Sequence, residues 1–172
     1  KPKPEKTPPL TEMPPELAAK FDKARNAKPD GVASLLEKAA AAEGRGDLNG
    51  AREQYLKIID LDQKNGEAHH RLAVIADQQQ DQKTADLHYQ KALTYNRRDA
   101  DLLSDLGYSL YLRGNLEESE RKLKEALEAN PHHRGAHSNL GLVYGKQGKY
   151  DQALAAFRQS GTESEAQRNI AQ

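Results

Sequence analysis

A spacing of 34 residues recurs along the chain and limits the folds that it can adopt. Residues 138–160, "SNLGLVYGKQGKYDQALAAFRQS", align without a gap with "SDLGYSLYLRGNLEESERKLKEA" one period earlier. Two further steps reach "HRLAVIADQQQDQKTADLHYQKA" and "LEKAAAAEGRGDLNGAREQYLKI". Self-similarity at such a period is typical of proteins in which each copy is one small unit packed on its neighbours. The sequence therefore predicts a stack of four similar units.

Each copy has the pattern of two helices that pack closely together. Apolar residues recur three and four positions apart in both halves, as Ala153 and Phe157 do, and such spacing gives each helix one apolar stripe. A small residue such as Gly141 lets the two backbones approach. Glycine accepts the left-handed conformation that ends a helix, and it stands at the predicted end of the first helix in three copies. These are Gly46, Gly114 and Gly148.

The pattern resembles the tetratricopeptide repeat, a 34-residue helix-turn-helix unit with an L-G-x-x-Y, A-x-x-x-F and P signature. The best match is residues 140–144, followed by Ala153 and Phe157, and the proline is kept at Pro29 and Pro131. Ser119 stands for the usual alanine. The family's tryptophan position, at which a large side chain packs, holds Leu35, His69, Leu103 and His137. The resemblance implies an all-α, right-handed superhelical solenoid of helix-turn-helix units.

The repeat register also predicts how the chain is divided. Residues 1–14, rich in proline and lysine, are expected to be a leader or linker, and residues 15–172 a repeat domain. Within that domain we expect a half repeat at 15–31, full repeats at 32–65, 66–99, 100–133 and 134–163, and the start of a fifth repeat at 164–172. Solenoids usually end in a polar cap, so these incomplete ends indicate a longer natural protein.

Composition restricts the classes of partner. Because 26 basic residues balance 26 acidic ones, no overall charge attracts the chain to nucleic acid. The chain has no cysteine, which excludes disulfides and thiolate metal sites. No apolar run approaches the ~18 residues that span a bilayer, so we expect no membrane insertion of this segment. The compartment stays open, with an exported or periplasmic bacterial location favoured over the cytoplasm by the proline-rich leader.

The resemblance implies that the first helices line a concave groove, which binds an extended peptide or a partner helix. The candidates for partner binding lie about one helical step from the packed stripe. They are His70, Val74, Asp77, Ser104, Tyr108, Tyr111, Ser138, Asn139 and Leu142, with Glu67, Asp101 and Gly145 on the same face. Tyrosine offers a large contact area at low entropic cost, so Tyr108 and Tyr111 are the preferred anchors. The alternative is that one or both pack between neighbouring units.

Two features of known partner sites in this family bear on the groove. The positions of its carboxylate clamp hold Leu36, Ala40, Ser104 and Tyr108, so the resemblance does not predict binding of an acidic chaperone tail. Asn139 matches a position that often hydrogen-bonds a peptide backbone.

No pattern in the sequence indicates catalysis, a cofactor or a metal site. Neither Ser104 beside Asp105 nor Ser138 beside His137 belongs to a known catalytic motif. His133 and His137 have a spacing that can place two imidazoles on one helix face, but they span a turn led by proline. Along "LEESERKLKEALE" we expect a solvated helix face with ion pairs four residues apart. The expected pairs are Glu117–Arg121, Glu118–Lys122 and Glu120–Lys124.

The leading hypothesis is a non-enzymatic adaptor or assembly scaffold that binds a protein or peptide. A narrower resemblance, to exported bacterial members such as the tight-adherence pilus assembly lipoproteins, implies a role in pilus or secretion assembly. One alternative is a structural scaffold that assembles into homo-oligomers through its open terminal repeats. The other is a non-catalytic region of a larger enzyme.

Overall fold

The computed structural model describes residues 31–161, which form eight α-helices and no strand. The helices are α1 (Val32–Gly44), α2 (Leu48–Leu61), α3 (Gly66–Gln78), α4 (Gln82–Tyr95), α5 (Ala100–Leu112), α6 (Leu116–Ala129), α7 (Arg134–Lys146) and α8 (Tyr150–Ser160). The odd-numbered, first helices begin 34 residues apart, and so do the even-numbered, second helices. The predicted all-α solenoid of helix-turn-helix units is confirmed. The predicted leader, the half repeat up to residue 30 and the start of a fifth repeat lie outside the described residues.

Short polar side chains begin most of these helices. The carboxylates of Asp47, Asp81 and Asp99 and the amide oxygen of Asn65 each accept a hydrogen bond from the backbone N–H three residues later. His133 does the same for α7, where its Nδ1 lies 2.9 Å from the N atom of Ala136. Each bond satisfies one of the backbone donors that a helix start leaves unpaired. The caps therefore fix where the helices of successive units begin.

A left-handed residue stands two positions after the end of the first helix in each unit. Gly46, Gly114 and Gly148 have φ of +72°, +77° and +75°, as predicted. Gln80 takes the same place in the second unit with φ of +61°. The repeat therefore imposes this conformation even where a residue with a side chain must adopt it.

Glycines on the first helix let the two helices of a unit approach closely. A Cβ atom on Gly107 would lie 2.6 Å from Cγ of Leu123, and one on Gly141 would lie 2.7 Å from Cε1 of Phe157. The hydroxyl of Ser119, which stands for the family's alanine, donates a 2.6 Å hydrogen bond to the carbonyl of Gly107. This departure from the family pattern thus adds a polar link between α5 and α6.

The core consists of three apolar clusters that follow one another along the stack. The first extends from Leu35 to Ile75, the second from Ala73 to Leu106, and the third from Leu103 to Phe157. Each cluster joins the helix pair of one unit to the next first helix, because helices of neighbouring units share an apolar face. At the family's tryptophan position, His69 is buried beside His88 and Tyr95, so it packs as predicted.

The ion pairs of α6 differ from the prediction. Lys124 pairs with Glu120 at 2.7 Å, as expected. Arg121, however, pairs with Glu118 and Glu125 instead of Glu117, and Lys122 pairs with Glu125 instead of Glu118. Two of the three predicted pairs are therefore wrong, because residues three and four apart are both within reach on a helix and the rotamers decide between them.

Candidate partner-binding groove

The first helices contact one another along one side of the stack. Nε2 of His70 on α3 lies 2.9 Å from Oδ2 of Asp105 on α5. One unit further, Nδ2 of Asn139 on α7 donates to Oγ of Ser104 on α5 at 3.3 Å. We call this side the first-helix face. Two pockets open on it.

The larger pocket has a volume of about 760 Å³ and is strongly acidic. It is lined by α1, α3 and α5, by Tyr55 of α2 and by the turn before α5. Its six carboxylates belong to Glu37, Glu43, Glu67, Asp99, Asp101 and Asp105, and we call it the acidic pocket. Leu36 and Ala40 of α1 contribute apolar surface.

One guanidinium, that of Arg71, lies among these carboxylates. Its Nε and Nη2 donate to the two carboxylate oxygens of Glu43 at 3.0 and 2.6 Å. This fork geometry is the strongest form of an arginine–carboxylate pair, and it raises the pKa of Arg71. Burial, followed by the nearby charge of Glu43, raises the pKa of Tyr55 in the pocket wall. Arg71 is therefore engaged by Glu43, and Tyr55 carries a neutral hydroxyl.

The smaller pocket, of about 160 Å³, lies between α3 and α5 and is mainly apolar. Val74, Tyr108 and Leu112 contribute to its lining, and Asp105 lines both this pocket and the acidic pocket. Tyr108 is 40% exposed and Leu112 is 63% exposed. At its base the Tyr89 hydroxyl donates to Oδ2 of Asp77 at 3.0 Å, and burial raises the pKa of Tyr89. We call it the apolar pocket.

The structure brings four of the nine candidate residues together at these pockets. His70 lines the acidic pocket, and Val74, Asp77 and Tyr108 line the apolar pocket. The ring of Tyr111 stacks on that of Tyr108 with centroids 6.1 Å apart, but Tyr111 is half-buried and packs against the third core cluster. The packing alternative therefore describes Tyr111, and Tyr108 is the exposed tyrosine of the pair.

The other four candidates lie on α5 and α7 and line neither pocket. Ser104 is buried, and Asn139 bonds to it. Leu142 packs against the third core cluster, and Ser138 is half-buried. Contact of these residues with a partner stays a prediction.

Sequence reasoning missed most carboxylates of the acidic pocket, although the repeat register contained a signal. The sequence predicts that Asn139 lies in the groove, and steps of 34 residues back from it reach Asp105, Arg71 and Glu37, which all line the pocket. These three residues are found when the repeat position of Asn139 is assigned to the groove in every unit. Glu43 has no such signal, because it reaches the pocket through its pair with Arg71.

The histidines near the last unit have structural partners. His133 caps α7 and also lies 2.8 Å from Oδ1 of Asp101, and Nε2 of His137 lies 2.9 Å from the carbonyl oxygen of Pro131. Within residues 31–161, no three or more His, Asp or Glu side chains are grouped to hold a metal ion. Over the same residues, no helix is long and apolar enough to cross a membrane.

Family models of the tetratricopeptide repeat match residues 66–99 and 98–160, which together make up more than half of the chain. The chain belongs to the tetratricopeptide repeat family. This repeat fold is typically non-catalytic and binds proteins or peptides.

Individual relatives agree with this assignment. The rice (Oryza sativa subsp. japonica) protein described as probable UDP-N-acetylglucosamine–peptide N-acetylglucosaminyltransferase SPINDLY is 42% identical over 55 residues, which are 32% of this chain and 6% of the relative. The structure of Pseudomonas aeruginosa PilF superposes with a TM-score of 0.70 at 30% identity, over 75% of this chain and 59% of that one. PilW, described as a type IV pilus biogenesis factor, gives 0.69 at 24% identity over 75% and 60%. The expected similarity to pilus-associated repeat proteins is thus confirmed, and PilW shows the fold alone.

Proposed function

We propose that the chain is a non-enzymatic adaptor or assembly scaffold that binds a segment of a protein partner along the first-helix face. The observation that carries this proposal is the pair of adjoining pockets on that face. They share Asp105 and together extend over α1, α3 and α5. A surface that crosses three units suits an elongated segment better than a compact ligand.

Tyr108 is the anchor that we propose for this segment. Tyr108 is 40% exposed beside a concave apolar surface, so a partner side chain that enters the apolar pocket covers it. Tyrosine is enriched among residues that dominate binding energy, because it buries much area while losing few rotamers.

The test compares affinity capture by the parent chain with capture by Tyr108→Ala, using a lysate of the source organism. The matched control is Tyr150→Ala, since Tyr150 is 58% exposed on a second helix and lines neither pocket. We expect a partner that the parent and the control retain and that Tyr108→Ala loses. All three chains must show the same helical circular dichroism. A partner kept by every variant would contradict the groove assignment.

The similarity to PilF, at 30% identity, supports a narrower proposal, that the chain acts in the assembly of a bacterial pilus or secretion machine outside the cytoplasm. Fractionation of source cells with an antibody to the chain tests the compartment. Recovery with periplasmic or envelope proteins is expected, and recovery with cytoplasmic proteins would contradict the proposal.

A second candidate function is favoured by the match to SPINDLY, which covers 6% of that glycosyltransferase. In this proposal the chain is a repeat region of a larger enzyme. The complete reading frame decides between the two, because a glycosyltransferase domain in the same frame would favour the second.

The third proposal, self-assembly through terminal repeats, rests on residues outside the described range. A monomeric mass that stays constant with concentration in light scattering would contradict it.

A further inference from the structure

We propose that the first-helix face selects a cationic segment, in which a lysine or arginine enters the acidic pocket while a neighbouring apolar side chain enters the apolar pocket. This inference rests on the proposed function and specifies the chemistry of the partner.

The charge of the acidic pocket is far from balanced. Among the described residues, six carboxylates line it, and the one guanidinium there, that of Arg71, is already held by both oxygens of Glu43. The whole chain has a formal net charge of zero, so the excess is local to this face. Glu37 and Glu67 are exposed and form no ion pair with another residue of the described range. A cationic side chain therefore finds carboxylates that no residue of the described range neutralises.

The shape of the pocket strengthens this selection. Carboxylates from α1, α3 and α5 converge on one concavity of about 760 Å³, and a concave, like-charged surface focuses its field on an entering charge. Asp105 contacts His70 with one oxygen, but its side chain remains 42% exposed, and that of Asp101 remains 83% exposed. Both can accept further hydrogen bonds from a guanidinium or ammonium group.

The apolar pocket supplies the second requirement. It adjoins the acidic pocket at Asp105, and its exposed members Tyr108 and Leu112 remain in contact with water. An apolar side chain next to the cation removes this surface from water, which favours binding. The same acidic lining repels an acidic segment, so the charge gives selectivity as well as attraction.

The test selects a phage-displayed library of random linear peptides on the immobilised 172-residue chain. We expect enrichment of peptides that carry lysine or arginine beside an apolar residue. For the enriched peptides, we expect Glu37→Lys with Glu67→Lys to weaken binding at least about tenfold, because like charges then face the cation. Added salt should weaken binding to the parent as well. The control, Asp60→Lys with Glu128→Lys, makes the same charge change at exposed sites in the last turns of α2 and α6 and should bind as the parent does.

The outcomes separate this inference from the function on which it rests. Neutral or acidic peptides that bind the parent and are lost by Tyr108→Ala would overturn the charge selection and leave the groove in place. Enrichment of no peptide, or of peptides that all variants bind equally, would overturn both. Equal circular dichroism and equal melting of the variants exclude loss of folding as the cause.

Discussion

At the scale of single residues, Gln80 shows how strongly the repeat constrains a position. Its φ of +61° lies in the left-handed region, where a residue with a side chain costs about 1–2 kcal/mol relative to the right-handed helix. The turn nevertheless forms, because the N–H groups of Gln80 and Asp81 bond to the carbonyls of Asp77 and Ala76. Packing of the two helices outweighs this local cost. A substitution that removes the cost at position 80 should therefore stabilise the protein.

We predict that Gln80→Gly raises the free energy of unfolding by about 0.5–1 kcal/mol. Glycine adopts this φ without steric cost, and the gain is reduced by the greater entropy of glycine in the unfolded chain. Urea unfolding followed by circular dichroism measures the difference. The converse change, Gly114→Gln, should lower the free energy of unfolding by a similar amount. A parent that is as stable as Gln80→Gly, or more so, would contradict the strain argument.

His69 and His88 form a pair whose protons can be assigned. The carbonyl of Gln63 only accepts, so Nε2 of His69, 3.2 Å away, carries a proton and donates it. In the neutral ring, Nδ1 of His69 then accepts, and Nδ1–H of His88 donates to it over 2.9 Å. Burial and the neighbouring His69 lower the pKa of His88 to about 4, and burial also lowers that of His69. The folded protein therefore holds both rings neutral.

This pair predicts that stability falls with acidification. In the unfolded chain the histidines regain an ordinary pKa near 6.5, so between about pH 6.5 and pH 4 the unfolded state binds more protons. The contribution of the pair to stability is thus fully present above the pKa of the unfolded state and is lost as the pH falls toward the pKa of the folded state. The loss is about 1–2 kcal/mol after allowance for the partial exposure of His88.

Urea unfolding at several pH values tests the prediction on His88→Gln, whose amide keeps a donor for His69 but does not titrate. We expect a shallower loss of stability than in the parent over this window. His132→Gln, at an exposed turn residue, serves as the control and should follow the parent. Equal slopes for the parent and His88→Gln would refute the assignment.

At the scale of elements, the sequence predicts helices and their ends well, since these depend on local periodicity and on residues such as Gly46 and Gly148. It also predicts that His69 packs in a core position. It does not reveal His88 as its partner, because that residue lies on the facing helix and no repeat position connects the two. The sequence does not predict most of the acidic pocket for a related reason, since its carboxylates come together only when three units are stacked.

Close approach within a unit gives a prediction for α7. A Cβ on Gly141 would lie 2.7 Å from the ring of Phe157, whereas one on Gly145, in the same helix, would have no heavy atom of another element within 4 Å. We expect Gly141→Ala to lower the free energy of unfolding by about 1–3 kcal/mol through overpacking. Gly145→Ala should raise it by up to about 1 kcal/mol through helix propensity. Thermal and urea unfolding of both variants measure this, and equal effects would contradict the packing argument.

At the scale of the whole molecule, the described residues hold together only through neighbours in the stack. The three core clusters each join adjacent units, and the side-chain bonds between first helices connect residues 35 apart, as His70–Asp105 and Ser104–Asn139 do. In such a molecule stability is close to a sum of unit and nearest-neighbour contributions. A destabilising substitution at one end is therefore expected to lower the local stability of nearby units most and that of distant units least.

Hydrogen exchange measured by mass spectrometry tests this on two core truncations. Phe157→Ala removes a buried ring from α8, and Ile58→Ala removes buried atoms from α2 at the other end of the described stack. We expect Phe157→Ala to speed exchange most in α7 and α8, less in α5 and α6, and not at all in α1 and α2. Ile58→Ala should give the reverse gradient, because each cavity weakens its own cluster and the cluster it adjoins. A uniform increase in all eight helices for either variant would show that the described units unfold as one cooperative body, and the nearest-neighbour description would then be wrong.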